Sequence, residues 1–300
     1  MKELDATAAR KLDIAVLRDQ LDTHVFGVGD QLVYVPIVDS TNIVAMRLAQ
    51  QGAEEGTVVT TESQTAGKGR LGRPWLDIEG YHALSSIILR PSFQLYLLVM
   101  MAALSVVEAI EETCGIDATI KWPNDVLIGH RKVAGILIET SYDRSRRLVA
   151  ILGIGVNVNG CIQQQAEPMR QHIIGQREGP PVSALAQLPA VTTLQTECGH
   201  LVSREIFIAH LLRYVERHYL ALQQEAQDSV TVIYGSTSQL IREQWRNRLS
   251  TLGRSIEVRQ GDTLLSGVAE DVNDNGELLL RCYSGSLFTI TWGDIGYPPA

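Results

Sequence analysis

The chain has 300 residues, 45% of them hydrophobic and 20% charged, with a formal net charge of −8. Domains cluster at roughly 100–200 residues, so one large domain with a small companion fits best. The acidic balance and the lack of a dominant basic stripe argue against a nucleic-acid binder. The most apolar run, Leu95 to Leu104, is too short for a bilayer span of about 20 residues. Met1 to Leu12 lacks the apolar stretch of a signal peptide, so a cytoplasmic, non-membrane protein is expected. Cys114, Cys161, Cys198 and Cys282 form no CxxC pair, which disfavours a zinc ribbon or redox motif.

In chain order, residues 12–24 read as a short helix and Gln31 to Val38 as a strand. Asp39-Ser40-Thr41-Asn42 supplies helix-start chemistry for a helix over Ile43 to Gln51, with Gly52 as its stop. Thr57 to Glu62 reads as a strand, Gln64 to Trp75 as a glycine-rich cationic loop, and Leu84 to Leu89 as another strand. Leu95 to Thr113 carries the clearest helical periodicity. Thr119 to Trp122 is extended, and Pro123-Asn124-Asp125 turns the chain. Val126 to Ile128 and Ala134 to Thr140 read as antiparallel strands, and the apolar strand Leu148 to Val158 follows a polar turn. Residues 160–200, with a Gln run and Pro180-Pro181, read as a loop-rich insertion. Helices are expected over 204–224 and 238–249. Four short strands from Ser255 to Trp292, separated by tight-turn signals, form a small β-barrel that must dock on the large domain.

Positive charge concentrates in two segments. In Gln64–Trp75, Gly67, Gly69 and Gly72 let the backbone approach a ligand, and Lys68, Arg70 and Arg73 can meet anionic oxygens. The segment is neither a GxxxxGK[ST] phosphate loop nor a dinucleotide GxGxxG turn. By itself it reads equally well as a flexible basic hairpin. In the second segment, Lys121, Asn124, Asp125, Arg131 and Lys132 surround a Pro-fixed turn. Lys132 could hold a carboxylate or α-phosphate as a point charge and Asp125 could help hold Mg²⁺, but an ordinary surface hairpin is as good a reading. At Ser40, Thr41 and Asn42 a helix cap is the simplest role, and hydrogen bonding to a polar ring the alternative.

The five motifs DSTN, QxxGKGRxGRxW, KWPND, KVAGILIE and GIGVNVN occur in this order. Their combination resembles the biotin–protein ligase family over roughly residues 32–160 by motif and over the whole chain by layout. The resemblance implies an α+β fold: a mixed-sheet catalytic domain of the biotin/lipoate ligase type over 32–249, after a short helical extension over 1–31, and an SH3-like β-barrel over 250–300. It implies that Ser40, Thr41, Asn42, Gln64, Lys68, Gly69, Arg70 and Lys132 bind biotin. Arg70, Arg73, Trp75, Asn124, Asp125, Lys132 and Asn157 then bind ATP or the adenylate, with Lys132 and Arg70 catalytic and Asp125 on Mg²⁺. Three departures stand out: Lys68 where arginine is frequent, His82 where asparagine is common, and the 160–200 insertion, which matches no part of the family pattern.

The implied reaction joins biotin to AMP, releases pyrophosphate and passes the biotinyl group to a lysine of a biotin carboxyl carrier protein. Two rivals differ in class. A lipoate or octanoate transferase would want an apolar pocket end, against the polar DSTN–Gln64 set. A ligase that is also a DNA-binding repressor would need a winged helix of ~60 residues, whereas about thirty residues precede the core; no DNA binding is expected. The sequence leaves the oligomeric state open, a homodimer among the options.

Overall fold

The computed structural model describes residues 10–160, 190–228 and 236–298. Most of the insertion read over 160–200 therefore lies outside the described residues. A seven-stranded mixed sheet forms the frame. Across it run β1 (Leu32–Tyr34), β3 (Val58–Thr61), β5 (Ala83–Leu89), β9 (Leu148–Val156), β8 (Arg131–Tyr142), β7 (Asp125–Ile128) and β6 (Thr119–Lys121). Only β1 and β3 pair parallel; the other neighbours are antiparallel.

Side chains alternate across a strand, and β5 uses both faces. Ala83, Ile87 and Leu89 join the main core with α3 (Tyr96–Cys114), and Ile88 joins a smaller cluster under α2 (Thr41–Gln51). Twelve of the nineteen residues of α3 are buried, which explains why it was the clearest helix in the sequence. The smaller cluster comprises Ala45 and Ala49 of α2 with Val59, Ile88, Val149 and Ile151. Helix α2 thus covers one end of its sheet face and leaves the rows nearer its N-terminus open.

Two expected elements are shorter than read. The strand over 31–38 is split into β1 and β2 (Ile37–Val38), because Pro36 has no N–H to continue a ladder. The helix over 12–24 is α1 (Ile14–Gln20), capped by Asp13. Beyond it the N–H groups of His24, Val25 and Phe26 point at the buried carboxylate of Glu216, at 2.8, 2.8 and 2.7 Å, instead of at carbonyls one helical turn back. Leu12, Leu17 and Phe26 are buried in the main core.

Behind this N-terminal segment lies a buried ion pair. Arg204 opens α5 (Arg204–Gln227), which follows the short α4 (Leu194–Cys198). Its Nη1 donates to Glu62 Oε2 at 2.8 Å, with side chains only 4% and 1% exposed. The other oxygen of Glu62 accepts from Leu12 N–H at 2.6 Å and Tyr34 O–H at 2.7 Å. Arg204 also donates to the carbonyls of His82 and Arg10. His82 is fully buried, and burial first, then the nearby Arg204 charge, push its pKa from 6.5 down to about 3. Between those values the unfolded chain holds a proton on this imidazole and the folded one does not. Stability is therefore full above pH 6.5 and declines as pH falls toward 3. His82→Asn should flatten this acid limb in thermal melts recorded from pH 7 to 4; an unchanged limb would show that other groups set it.

After α6 (Thr237–Asn247) the chain enters a five-stranded antiparallel sheet ordered β13 (Leu287–Ile290), β12 (Leu278–Cys282), β11 (Thr263–Val272), β10 (Ser255–Gln260), β14 (Asp294–Gly296). Four of these strands match the expected small β-domain. The fifth, β14, carries one buried apolar residue, Ile295, too little for a period to show. Ile256, Val258, Ala269, Leu278, Leu280 and Ile290 belong to the same core as the large domain. Trp122 seals the junction: its indole N–H donates to Gly276 O at 2.8 Å.

Candidate active site

On the face left open by α2, cross-strand rows follow from the register. Leu84, Gly155 and Gly135 form one row, and Ser86, Gly153 and Leu137 the next. Three glycines here give the sheet a floor without side chains. A Cβ on Gly153 would lie 2.2 Å from Asn42 Oδ1, and one on Gly155 2.7 Å from the indole of Trp75. A Cβ on Gly135 would lie 2.9 Å from the same indole and 3.1 Å from Lys132 Nζ. The glycines are therefore needed for close approach, not for a turn.

Around this floor sits a pocket that gathers Ser40, Thr41, Asn42, Gln64, Lys68, Gly69, Arg70, Trp75, Asn124 and Lys132. Ten residues singled out from sequence thus come together from four separate segments. Gly135, Ile136, Leu137, Gly153, Ile154 and Gly155 also line it; they belong to the KVAGILIE and GIGVNVN motifs but had no expected role, and Leu84 lies outside the motifs. Glycines inside otherwise apolar strands were the available signal for three of them.

The polar end is built at the start of α2. Ser40 occupies the N-cap position but makes no side-chain capping bond, and it is buried. The capping role that was the simpler reading of Ser40 is therefore not seen at this side chain. Gln64 Oε1 accepts from Thr41 N–H at 2.9 Å and Thr41 Oγ1 at 3.1 Å. Gln64 is presented by the short pair β2–β4 (Ser63–Gln64). Its backbone N–H is held by Asp77, whose carboxyl pKa burial raises.

The cationic end lies across the floor. The glycine-rich segment closes on itself: Gly69 N–H donates to Arg73 O at 2.7 Å and Trp75 N–H to Gly67 O at 2.9 Å. Leu71 is forced to φ 55, left-handed and unfavourable for a branched side chain. Arg70 Nη1 donates to Asn124 Oδ1 at 2.9 Å, while Asn124 Nδ2 donates to Ile136 O at 2.8 Å. Asn124 therefore aims the guanidinium. Burial lowers the pKa of Arg70, against the pull of Asp125 and Asp294; guanidinium nevertheless stays charged. Lys132 Nζ lies 2.7 Å from Asp125 Oδ1 and 5.5 Å from the centroid of the Trp75 ring.

Three expected site residues stand outside this pocket. Arg73 turns away to Asp294 of β14, Nη2 to Oδ2 at 2.5 Å, because the C-terminal sheet presents a carboxylate there. Asp125 faces Lys132 from behind. Asn157 is used structurally: its Nδ2 donates to Thr192 O at 3.1 Å and its backbone carbonyl accepts from Leu194 N–H.

Among the described residues no group of three or more His, Cys, Asp or Glu side chains could hold a metal. A cation here would need oxygens from a ligand. The indole N–H of Trp75 is buried without a hydrogen-bond partner, a donor that a ligand can satisfy.

Glycine floor, polar end and cation set thus meet in one pocket that offers hydrogen-bonding groups at one end and positive charge at the other. Residues 34–159 match the biotin/lipoate A/B protein ligase family, and residues 251–295 the biotin protein ligase C-terminal domain. The bifunctional ligase/repressor BirA of Bacillus spizizenii is 33% identical over 92% of this chain and 76% of its own length. The biotin–[acetyl-CoA-carboxylase] ligase of Paracoccus denitrificans is 35% identical over 82% and 92%. The biotin protein ligase of Aquifex aeolicus, solved with biotin and ATP, superimposes with a TM-score of 0.66 at 27% identity, covering 88% of this chain and 97% of that one. The chain belongs to the biotin–protein ligase family.

Gly153→Ala tests the floor. Its Cβ would collide with Asn42 Oδ1. Displacing one buried hydrogen-bonding group costs ~1–3 kcal/mol, so biotin affinity should fall about tenfold or more. Titration calorimetry reads this directly, and an unchanged Kd would refute the assignment.

Proposed function

We infer that this chain activates biotin with ATP, forms biotinyl-5′-adenylate and transfers biotin to a lysine of a biotin carboxyl carrier protein. The observation that carries this reading is the joining of the Ser40–Asn42/Gln64 set and the Lys68, Arg70 and Lys132 cations in one pocket. Biotin supplies a ureido ring for the first set and a carboxylate for the second.

The chemistry then follows from charge. A biotin carboxylate oxygen attacks the α-phosphorus and pyrophosphate leaves. Two anions must be held together in line, and fixed cations offset their repulsion. Lys132 and Arg70 take this role, Lys132 nearest the reacting oxygens. Ser40, Thr41, Asn42 and Gln64 orient biotin, with Lys68 and Gly69 closing over it. Trp75 lends its ring to the base, and Asn124 acts through Arg70. Arg73 reaches nucleotide only by leaving Asp294, and Asn157 supports the floor from behind. Asp125 has one oxygen on Lys132; the other, with ATP oxygens, would hold the Mg²⁺ that neutralises phosphate charge. In the transfer step the acceptor lysine attacks the acyl carbon and AMP leaves.

The catalytic unit in this reading is 32–249, preceded by the extension 1–31 and followed by the β-domain 250–300. We place the reaction in the cytoplasm, where ATP and carboxylases meet. Among the described residues no helix is long and apolar enough to cross a membrane. DNA is not a partner in this reading, which the −8 net charge supports; a salt-sensitive gel shift on promoter DNA would reverse that. Sedimentation distinguishes a monomer from a homodimer.

The decisive experiment incubates the protein with biotin, Mg·ATP and a carrier domain and scores a biotinylated lysine by mass. No transfer overturns the reading. Parallel titrations with biotin and lipoate, whose ring has no N–H groups, separate this reading from the lipoate alternative; tighter binding of lipoate would favour the latter. Biotin plus ATP should also protect the Gly67–Arg73 segment from protease, since adenylates need shielding from water; unchanged cleavage would mean that the loop does not close.

A further inference from the structure

Asn42 sits over the floor of the pocket, and an amide can present either its oxygen or its NH₂ there. Which one it presents decides what ligand it accepts. The two ends of the Asn42 amide meet different partners. Nδ2 donates to Glu139 Oε2 at 2.7 Å, and Oδ1 lies 2.6 Å from Ser86 Oγ. Oδ1 is also the atom nearest the Cβ position of Gly153. A carboxylate only accepts hydrogen bonds, so Glu139 fixes the amide with its NH₂ outward and its oxygen over the floor. Glu139 stands one row beyond Leu137 on β8, opposite Ile151 of β9. There α2 ends its cover and the pocket begins. Its second oxygen lies 3.8 Å from Lys68 Nζ on the glycine-rich loop. Both side chains are well exposed, at 36% and 45%, so that ion pair contributes little by itself.

We propose that Glu139 is a positioning residue for ring recognition: it orients Asn42 so that the pocket floor offers a hydrogen-bond acceptor and selects a ring bearing N–H groups. The inference rests on the biotin reading given above and goes one residue deeper. Asn42 Oδ1 already accepts from Ser86 Oγ, so its second lone pair is the one offered to the ring. A ring without N–H would leave that position unmet, which is how polar sites discriminate against apolar analogues.

The test compares biotin Kd by calorimetry for wild type, Glu139→Ala, Glu139→Gln and Glu139→Asp, with melting temperatures for all four. Glutamine keeps an acceptor oxygen at the same reach and loses the charge; aspartate keeps the charge and loses the reach. Biotin Kd is expected to rise about tenfold in the alanine and aspartate variants. In the glutamine variant it should stay within about threefold of wild type. A merely structural role would follow the melting temperatures instead. Biotin Kd at the wild-type value in the aspartate variant, or glutamine as weak as aspartate, overturns the proposal even if the alanine variant does not fold. A wild-type protein that binds no biotin overturns the functional reading, and this inference with it.

Discussion

Replacing Lys132 with alanine is expected to lower the single-turnover rate of adenylate formation by about 10²–10³, as removing one preorganised donor does elsewhere. The side chain is only 20% exposed and packs against the Trp75 ring, so water cannot substitute for its charge. The loss has two parts. The attacking carboxylate and the α-phosphate lose their shared cation. Asp125, now unpaired, adds a negative charge to the same side of the pocket. The double change Lys132→Ala, Asp125→Asn should therefore recover part of the rate. Pyrophosphate release under single-turnover conditions measures both. A wild-type rate in Lys132→Ala would remove this lysine from the chemistry. Lys132→Arg should recover little, because the bulkier guanidinium must fit where Nζ lies 3.1 Å from the Cβ position of Gly135.

Breaking the buried Arg204–Glu62 pair is expected to cost stability, not chemistry. Arg204→Ala leaves Glu62 buried with its remaining donors, Leu12 N–H and Tyr34 O–H. Removing one partner of a buried pair costs about 3–5 kcal/mol. For a chain of this size each kcal/mol moves Tm by roughly 2–4 °C, so a fall of roughly 10 °C is expected in calorimetry. The pair also ties the N-terminal segment to β3, which leads into Gln64. Biotin Kd measured well below the melt should change far less than Tm. A Tm within 2 °C of wild type would contradict the buried-pair assignment.

The local elements were legible where periodicity is long and one-sided. Helices α3 and α5 and the strand β9 lie within two or three residues of their expected limits. Boundaries moved where a distant group takes over the backbone, as Glu216 does for residues 24–26. Strand β14 was unreadable because its three residues exist as a strand only through pairing with β10.

The site divides the same way. Motif order gathered Ser40, Thr41, Asn42, Gln64, Lys68, Arg70 and Lys132 into one expected pocket only through its resemblance to the biotin–protein ligase family; taken singly, each segment suited a helix cap or a basic surface hairpin as well. Sequence spacing carries no cross-strand register, so it could not show that Gly135 and Gly155 lie opposite each other, or that Gly153 stands beneath Asn42. Nor could it show that Ser40 makes no side-chain cap or that Arg73 turns to a carboxylate 221 positions away. Residue types made these groups candidates for a polar ring or an anion, and the order of the motifs pointed to biotin by resemblance. Which of them face one another is set by the packing of α2 against the sheet and of the C-terminal domain against the core, and only the tertiary structure decided that.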